Sequence, residues 1–229
     1  MAASASPCLY IPVNNSLEYI AVPLDSLPDD PDDVLDVCKS EESSLQLWLD
    51  LGKEYLRQGR TKQFLAILQE GASEEVHQYY ENDPDSRVDT VNALAAYHLA
   101  VGTGTPSADF ASRSGNLKQA HALYTRALQI KPTADSHCGL GYVALAQGEA
   151  LPAVRHFNAA AELDAATAVP MLGLATAFFH EGRYKKALDK FRDVLRAFGG
   201  SKCPPGVRLG IALCHERLGE VERACEAAE

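Results

Sequence analysis

Several features that would settle a function are missing from this sequence. Its six cysteines, Cys8, Cys38, Cys138, Cys203, Cys214 and Cys225, are widely scattered. None forms the C-x-x-C spacing of a redox or zinc motif, and no secretory leader is expected, so a disulfide framework is disfavoured. No uninterrupted apolar stretch is long enough to span a bilayer, and no membrane association is expected. Positive charge is in deficit: 31 acidic against 21 basic residues leave a net charge of −10. That balance disfavours nonspecific attraction to phosphate backbones and anionic membranes.

Catalytic signatures are missing too. Gly102-Thr103-Gly104 lacks the longer glycine-rich loop and the Lys-Ser/Thr pair of a phosphate-binding loop. Residues 173–177 read as part of a periodic helix rather than a nucleophile turn. The seven histidines are dispersed, and His98, His137 and His215 fall at recurring helical positions, as expected of interhelical packing groups. Cys214 and His215 are neighbours, but adjacent helical residues point in different directions and further ligands are lacking. Acidic residues are abundant without marking a carboxylate pair around a pocket. No enzyme activity, catalytic residue, cofactor or metal is expected. The basic run Arg183-Tyr184-Lys185-Lys186, like Lys118 and Arg126, fits a solvated helix edge, so no direct nucleic-acid binding is expected either.

What the chain does have is a repeat. Gly115, Gly148, Gly182 and Gly219 are spaced by 33, 34 and 37 residues. Each is followed five residues later by an alanine: Ala120, Ala153, Ala187 and Ala224. An aromatic stands four residues further on in three cases: Tyr124, Phe157 and Phe191. This is the pattern of stacked helical hairpins with a glycine at each turn, and it points to a binding surface rather than an enzyme. In the unit around Gly148, Leu140, Gly141 and Ala144 recur on one helix face, opposite Ala153, Phe157 and Ala160 on the next. Small Gly141 and Ala153 permit close backbone approach, and Phe157 fills the remaining space. The next unit repeats the plan with Met171, Leu174, Ala175 and Phe178 before Gly182, then Ala187, Phe191 and Val194. One hairpin cannot bury both its apolar faces, so neighbours must stack. The last unit follows the breaker Pro204-Pro205-Gly206. Its pattern reaches Glu229 without a stop signal, which reads as part of a longer solenoid.

Upstream, Trp48, Leu51, Gly52 and Tyr55 occupy first-helix positions, Gly59 the turn, and Phe64, Leu65, Ile67 and Leu68 the second helix. An extra helix is expected around Tyr79 and Tyr80, ended by the acidic stretch 81–85. A first helix around Val91, Leu94, Ala95 and His98 reaches its partner, 117–130, only across an insertion. That insertion, 101–107, is expected to be a flexible surface loop from its composition. Residues 1–33 are expected to be extended or partly disordered. Tyr10-Ile11-Pro12-Val13 and 17–22 read as short strands of a marginal hairpin, with Pro12 and Pro23 excluding a central strand. Asp32 or Asp33 would cap the helix that opens the repeat domain, taken as 34–229.

The hairpin units resemble the tetratricopeptide family. Tyr142 and Ala144 lie within its first-helix pattern. Gly148, Ala153, Phe157 and Ala160 match its later positions, as do Gly182, Ala187 and Phe191, and residues 48–55 match more loosely. The resemblance implies an all-α right-handed superhelical solenoid, here with a short extended lead-in. A narrower resemblance runs through 17–20, Leu27-Pro28, 45–48, 54–61, 94–97, Leu123-Tyr124, 170–175 and 207–215. These stretches look like the amino-terminal part of the large tetratricopeptide scaffold subunits of the RNA polymerase II-associated factor complex. The alanine-rich opening and alanine-heavy repeats depart from that pattern. The resemblance implies a nuclear scaffold in transcription elongation and histone modification. Its partners would be subunits of that complex, above all the namesake subunit.

Two expectations about residues follow. Trp48, Leu51, Gly52, Tyr55, Ala120, Tyr124, Leu140, Gly141, Ala153, Phe157, Leu174, Ala187, Phe191 and Ala224 should pack the repeats. Tyr10, Ile11, Tyr19 and Ile20 are candidates for partner binding, because a marginal extended segment there carries apolar side chains; capping the first hairpin internally is the other role open to them. The concave surface and lead-in would then hold an extended or helical partner segment. A generic peptide-binding or chaperone-adaptor module is the alternative. A chaperone-tail receptor needs convergent Lys, Arg and Asn on the groove, and no repeated clamp of that kind stands out.

Overall fold

Four glycines set the turn of four helical hairpins. In the computed structural model, which describes residues 7–104, 110–198 and 206–228, Gly59, Gly148, Gly182 and Gly219 hold φ of 76°, 82°, 74° and 80°. They join α2 (Leu45–Arg57) to α3 (Thr61–Gly71), α7 (Ala134–Ala146) to α8 (Ala150–Leu163), α9 (Ala168–His180) to α10 (Tyr184–Ala197), and α11 (Gly206–Arg217) to α12 (Val221–Ala228). In each, the amide after the glycine returns to the carbonyl five residues back. The pairs are Arg60 to Tyr55, Glu149 to Ala144, Arg183 to Phe178 and Glu220 to His215, all within 2.8 to 2.9 Å. This closure needs the left-handed backbone that glycine adopts without a Cβ clash. The result is an all-α, tandem-helix repeat solenoid preceded by one β-hairpin.

Residues 1–94 and 95–229 form two compact units. In the first, β1 (Cys8–Pro12) pairs antiparallel with β2 (Tyr19–Pro23), and a 3-10 turn, Leu24–Ser26, leads towards α1 (Pro31–Ser40). Both prolines close their strands, where a missing N–H is tolerated. The described part of the lead-in thus carries the short hairpin read from its two extended segments. The cap of α1 differs from expectation. Asp30 accepts the Asp32 amide at 3.1 Å, Pro31 opens the helix, and Asp32 and Asp33 lie in its first turn. Proline fits there because the first helical N–H has no intrahelical partner. The extra helix is present as α4 (Glu74–Tyr79), and α5 (Pro84–Gly104) begins within the acidic stretch 81–85.

Side chains of α2, α3 and the turn between them strap the lead-in down. Arg60 donates to the Leu27 carbonyl at 2.9 Å, to the Pro28 carbonyl at 2.6 Å and to the Asp29 carboxylate at 2.9 Å. The Tyr55 hydroxyl donates to Pro28 at 3.0 Å, and Gln58 donates to Leu24 at 2.7 Å. The Arg60 guanidinium also lies 4.8 Å from the Tyr55 ring centroid, within cation–π range. In the same unit Ile11, Leu27, Leu35, Leu51, Tyr55 and Phe64 are buried.

In the second unit, two expectations need correction. Gly115 is not a turn: α6 (Phe110–Ile130) begins ahead of it, and the glycine lies exposed within that helix. The insertion is not a loop from residue 101, because α5 continues through Gly104 and Gly102 is buried. A Cβ on Gly102 would stand 2.9 Å from the Leu117 side chain, so this stretch packs closely. Residues 105–107 of that insertion lie outside the described residues, as do Cys203, Pro204, Pro205 and Glu229.

Stacking follows a rule that runs from one hairpin into the next. Any Cβ on Gly139 would run into the Tyr124 ring, and one on Gly173 into the Phe157 ring; on Gly210 it would stand 2.5 Å from Phe191. Each aromatic belongs to a second helix, and each glycine to the first helix of the following hairpin. Gly141 meets the same Phe157 within its own hairpin, with 2.7 Å left for a Cβ. Among the described residues of the second unit, buried clusters centre on these rings, with Tyr124 beside Leu140, Phe157 beside Leu174, and Phe191 beside Val207 and Ile211.

Candidate protein-interaction surface

Alternation along the hairpin separates its two faces. Leu9 and Ile11 pair with Val22 and Ile20 on one face; Cys8, Tyr10 and Pro12 pair with Pro23, Ala21 and Tyr19 on the other. Ile11 is 0% exposed and anchors the first face. It therefore drops out of the expected partner-binding set, because it is already covered by its own chain. Tyr10 and Tyr19 are 59% and 66% exposed on the second face, Ile20 is partly exposed, and Leu17 at the hairpin tip is 98% exposed. Neither strand carries a charged residue. Among the described residues the sheet has only these two strands, so each presents an outer edge. Edge strands that must stay unpaired commonly carry charge, and neither of these strands does.

Within the second unit, a groove of about 370 Å³ is lined by Leu99, Thr103, Tyr142, Leu145, Ala146, Thr176 and His180. These residues come from α5, α7 and α9, the first helices of their hairpins. No lysine or arginine lines it. Its chemistry suits an apolar segment and does not supply the cationic clamp for a terminal carboxylate.

The residues expected to pack the repeats are placed as follows. Trp48, Leu51, Gly52 and Tyr55 are buried in the first unit; Ala120, Tyr124, Leu140, Gly141, Ala153, Phe157, Leu174, Ala187 and Phe191 are buried in the second, and Ala224 is half-buried. Burial pushes the Tyr124 hydroxyl up to about 12. The histidines at repeating positions bridge helices. His98 meets Asn116 at 2.9 Å, and His137 Nδ1 stands 3.3 Å from His156 Nδ1. His215 meets the Glu220 carboxylate at 2.6 Å. Burial lowers both His137 and His156, the latter further through the charges of His137, His121 and Arg155.

Cys8, Cys38, Cys138, Cys214 and Cys225 are free thiols. Burial raises Cys138 and Cys214 to about 11, far from the thiolate that metals and electrophiles require. Among the described residues no group of three or more His, Cys, Asp or Glu is placed to hold a metal ion. No described helix is long and apolar enough to cross a membrane. Sequence reasoning missed the Arg60 strap and the glycines beneath the aromatic rings. The second had a signal: Gly139, Gly173 and Gly210 each precede a turn glycine by nine residues.

Comparison with known proteins agrees with this geometry. The tetratricopeptide-repeat family matches at residues 153–202 and 172–229. The chain is 36% identical over 221 residues to Protein CTR9 homolog of Arabidopsis thaliana, covering 96% of the chain and 20% of that protein. It is 27% identical over 227 residues to RNA polymerase-associated protein CTR9 of Caenorhabditis elegans, covering 96% and 19%. The chain thus spans about a fifth of the length of these curated relatives. Among solved structures it resembles MamA 41-end from Desulfovibrio magneticus RS-1, with a TM-score of 0.57 at 16% identity, covering 80% of this chain and 90% of that one. The latter likeness concerns the fold alone.

Proposed function

We propose that this tetratricopeptide-repeat chain, homologous to CTR9-like proteins, is a protein-interaction scaffold of a nuclear RNA polymerase II-associated complex that links transcription elongation to histone modification. The observation that carries this reading is the 36% identity to a CTR9 homolog over nearly the whole chain. A CTR9 relative is named for association with RNA polymerase, and the same association is extended here to this chain. Residues 34–229 would form the repeat domain and 1–33 its lead-in, with the namesake subunit of the complex as the main partner.

Three features of the molecule support such a role. Tyr10 and Tyr19 give the hairpin an uncharged aromatic face beside open strand edges, suited to an added partner strand. Arg60 and Tyr55 fasten the segment leading from it, so binding there would not require ordering a free tail. The groove along α5, α7 and α9 offers a second apolar seat. Co-expression with the namesake subunit, followed by affinity capture and size-exclusion chromatography with light scattering, tests the reading. A stoichiometric complex is expected. Failure of soluble, folded chain to form one would reject an autonomous interface within these residues.

A further inference from the structure

The first unit carries a pocket that the hairpin reading does not use. A cavity of about 230 Å³ lies among α1, α2, α3 and α4, with Trp48, Tyr79 and Tyr80 in its wall beside Lys39, Glu70 and Glu75. The polar atoms of Trp48 and Tyr80 are already engaged. Trp48 Nε1 donates to the Ser43 hydroxyl at 3.1 Å, and the Tyr80 hydroxyl donates to the Ser43 carbonyl. Nearby Glu42, first among the causes, raises the Tyr79 pKa. Glu42 itself holds a left-handed φ of 49°, a conformation uncommon outside glycine, in the turn that places these anchors. The tyrosine rings pack edge to face with centroids 5.0 Å apart, and Tyr79 is 59% exposed while Trp48 is 1% exposed. The ring surface offered to a guest is that of exposed Tyr79 and half-buried Tyr80, with Trp48 buried behind them.

The charges around the pocket select the guest's sign. Its one cation, Lys39, is held by Glu70 at 2.6 Å. That hydrogen bond, then the charges of Glu70, Asp36 and Glu75, raise the Lys39 pKa, so several carboxylates act on the same space. An adjoining cavity of about 480 Å³ shares Lys39 and Glu70 and adds Asp32 and Asp36. The acidity of the molecule is concentrated in this unit. Residues 1–94 contain 18 of the 31 acidic and 6 of the 21 basic residues, leaving 13 acidic against 15 basic in the remainder. An aromatic face attracts a cation through its quadrupole, and nearby carboxylates add to that attraction. A carboxylate guest would be repelled, and a neutral one would gain nothing from the acids.

We propose that this pocket receives a lysine or arginine side chain from a basic, extended segment of a partner protein, with flanking basic residues lying over Asp32 and Asp36. The apolar stem of such a side chain runs along the rings while its charged head meets the carboxylates. This site is separate from the hairpin face and does not rest on the reading given for it.

Trp48 is the sole tryptophan of the chain, so its fluorescence reports on the pocket directly. The test titrates the whole chain with a short lysine-glycine peptide, and with a glutamate-glycine peptide of equal length, at about 0.15 M salt. Calorimetry on the same samples detects binding that leaves Trp48 silent. Saturable one-to-one binding of the lysine peptide alone is expected. Tyr79→Ala and Glu75→Gln should each weaken it about tenfold, a difference of about 1.4 kcal/mol, with unchanged melting temperatures. Asp25→Asn, at an acid that lines neither cavity, should stay near wild type. So should the Tyr10→Ser/Tyr19→Ser double variant, which separates this site from the hairpin. No saturable binding by folded chain in either measurement would overturn the proposal. So would an Asp25→Asn loss equal to that of Tyr79→Ala, since it would mean diffuse attraction to an acidic surface.

Discussion

Replacing glycine by alanine should move stability in opposite directions at positions that look alike in the sequence. Gly115 sits exposed inside α6, with open space where a Cβ would go. Gly115→Ala should stabilise the chain by about 0.5–1 kcal/mol, because glycine costs a helix interior that much. Gly148 has φ of 82°, so Gly148→Ala should destabilise by about 1 kcal/mol or more from left-handed strain. Gly173 has ordinary helical backbone but lies against Phe157. Gly173→Ala should cost about 1–3 kcal/mol through overpacking, outweighing the gain in helix propensity. Urea unfolding of the three variants, read at constant m-value, checks all three signs. Gly115 shows why spacing alone misleads. Ala120 and Tyr124 follow it at the expected offsets and are buried as second-helix residues. The chain enters α6 early, however, and the glycine falls on a wet helix face.

At the scale of elements, the lead-in depends on one side chain. Arg60 is only partly exposed, and its guanidinium bonds two backbone carbonyls and the Asp29 carboxylate. Arg60→Ala should cost about 2 kcal/mol, within the range for hydrogen bonds to charged groups. It should also speed proteolysis within residues 12–29 relative to the helices. Arg60→Lys should restore little, since a lysine ammonium cannot reproduce the planar fork. This strap was not legible beforehand because it joins residues more than thirty apart without periodicity. The turn glycines Gly59, Gly148, Gly182 and Gly219, by contrast, recur with helical hairpins on both sides.

A second element-scale prediction concerns the α7–α8 hairpin. Burial first, and then the neighbouring charges at His156, hold His137 and His156 below the ordinary value of 6.5. Below that value the unfolded chain takes up protons that the folded hairpin resists, so acid favours unfolding. The contribution is fully present above about pH 6.5 and is lost as pH falls through the lowered folded values. The melting temperature should therefore drop between pH 7 and pH 5, and His156→Gln should flatten that part of the curve. An identical pH profile in the variant would contradict the assignment.

For the molecule as a whole, the sequence pattern was enough to read stacked helical hairpins, because small and aromatic residues mark each close approach. It also placed Tyr10 and Tyr19 in an extended segment, but it could not tell them from Ile11. Only the pairing register, with Ile11 opposite Ile20 and Tyr10 opposite Ala21, turns one side chain inward and leaves the others outside. The pocket around Trp48 was hidden for a related reason. Trp48 stands at a repeat-packing position, and Tyr79 and Tyr80 belong to the extra helix, so nothing local says that they share a wall.

The most direct test of a hairpin-mounted scaffold is the mass, by light scattering, of the species formed with the namesake subunit by wild type and by the Tyr10→Ser/Tyr19→Ser variant. Both side chains are largely exposed, so the variant should melt like wild type. A stoichiometric complex is expected with wild type and free chain with the variant. Equal complex formation by the two proteins, or none by folded wild type, would contradict it.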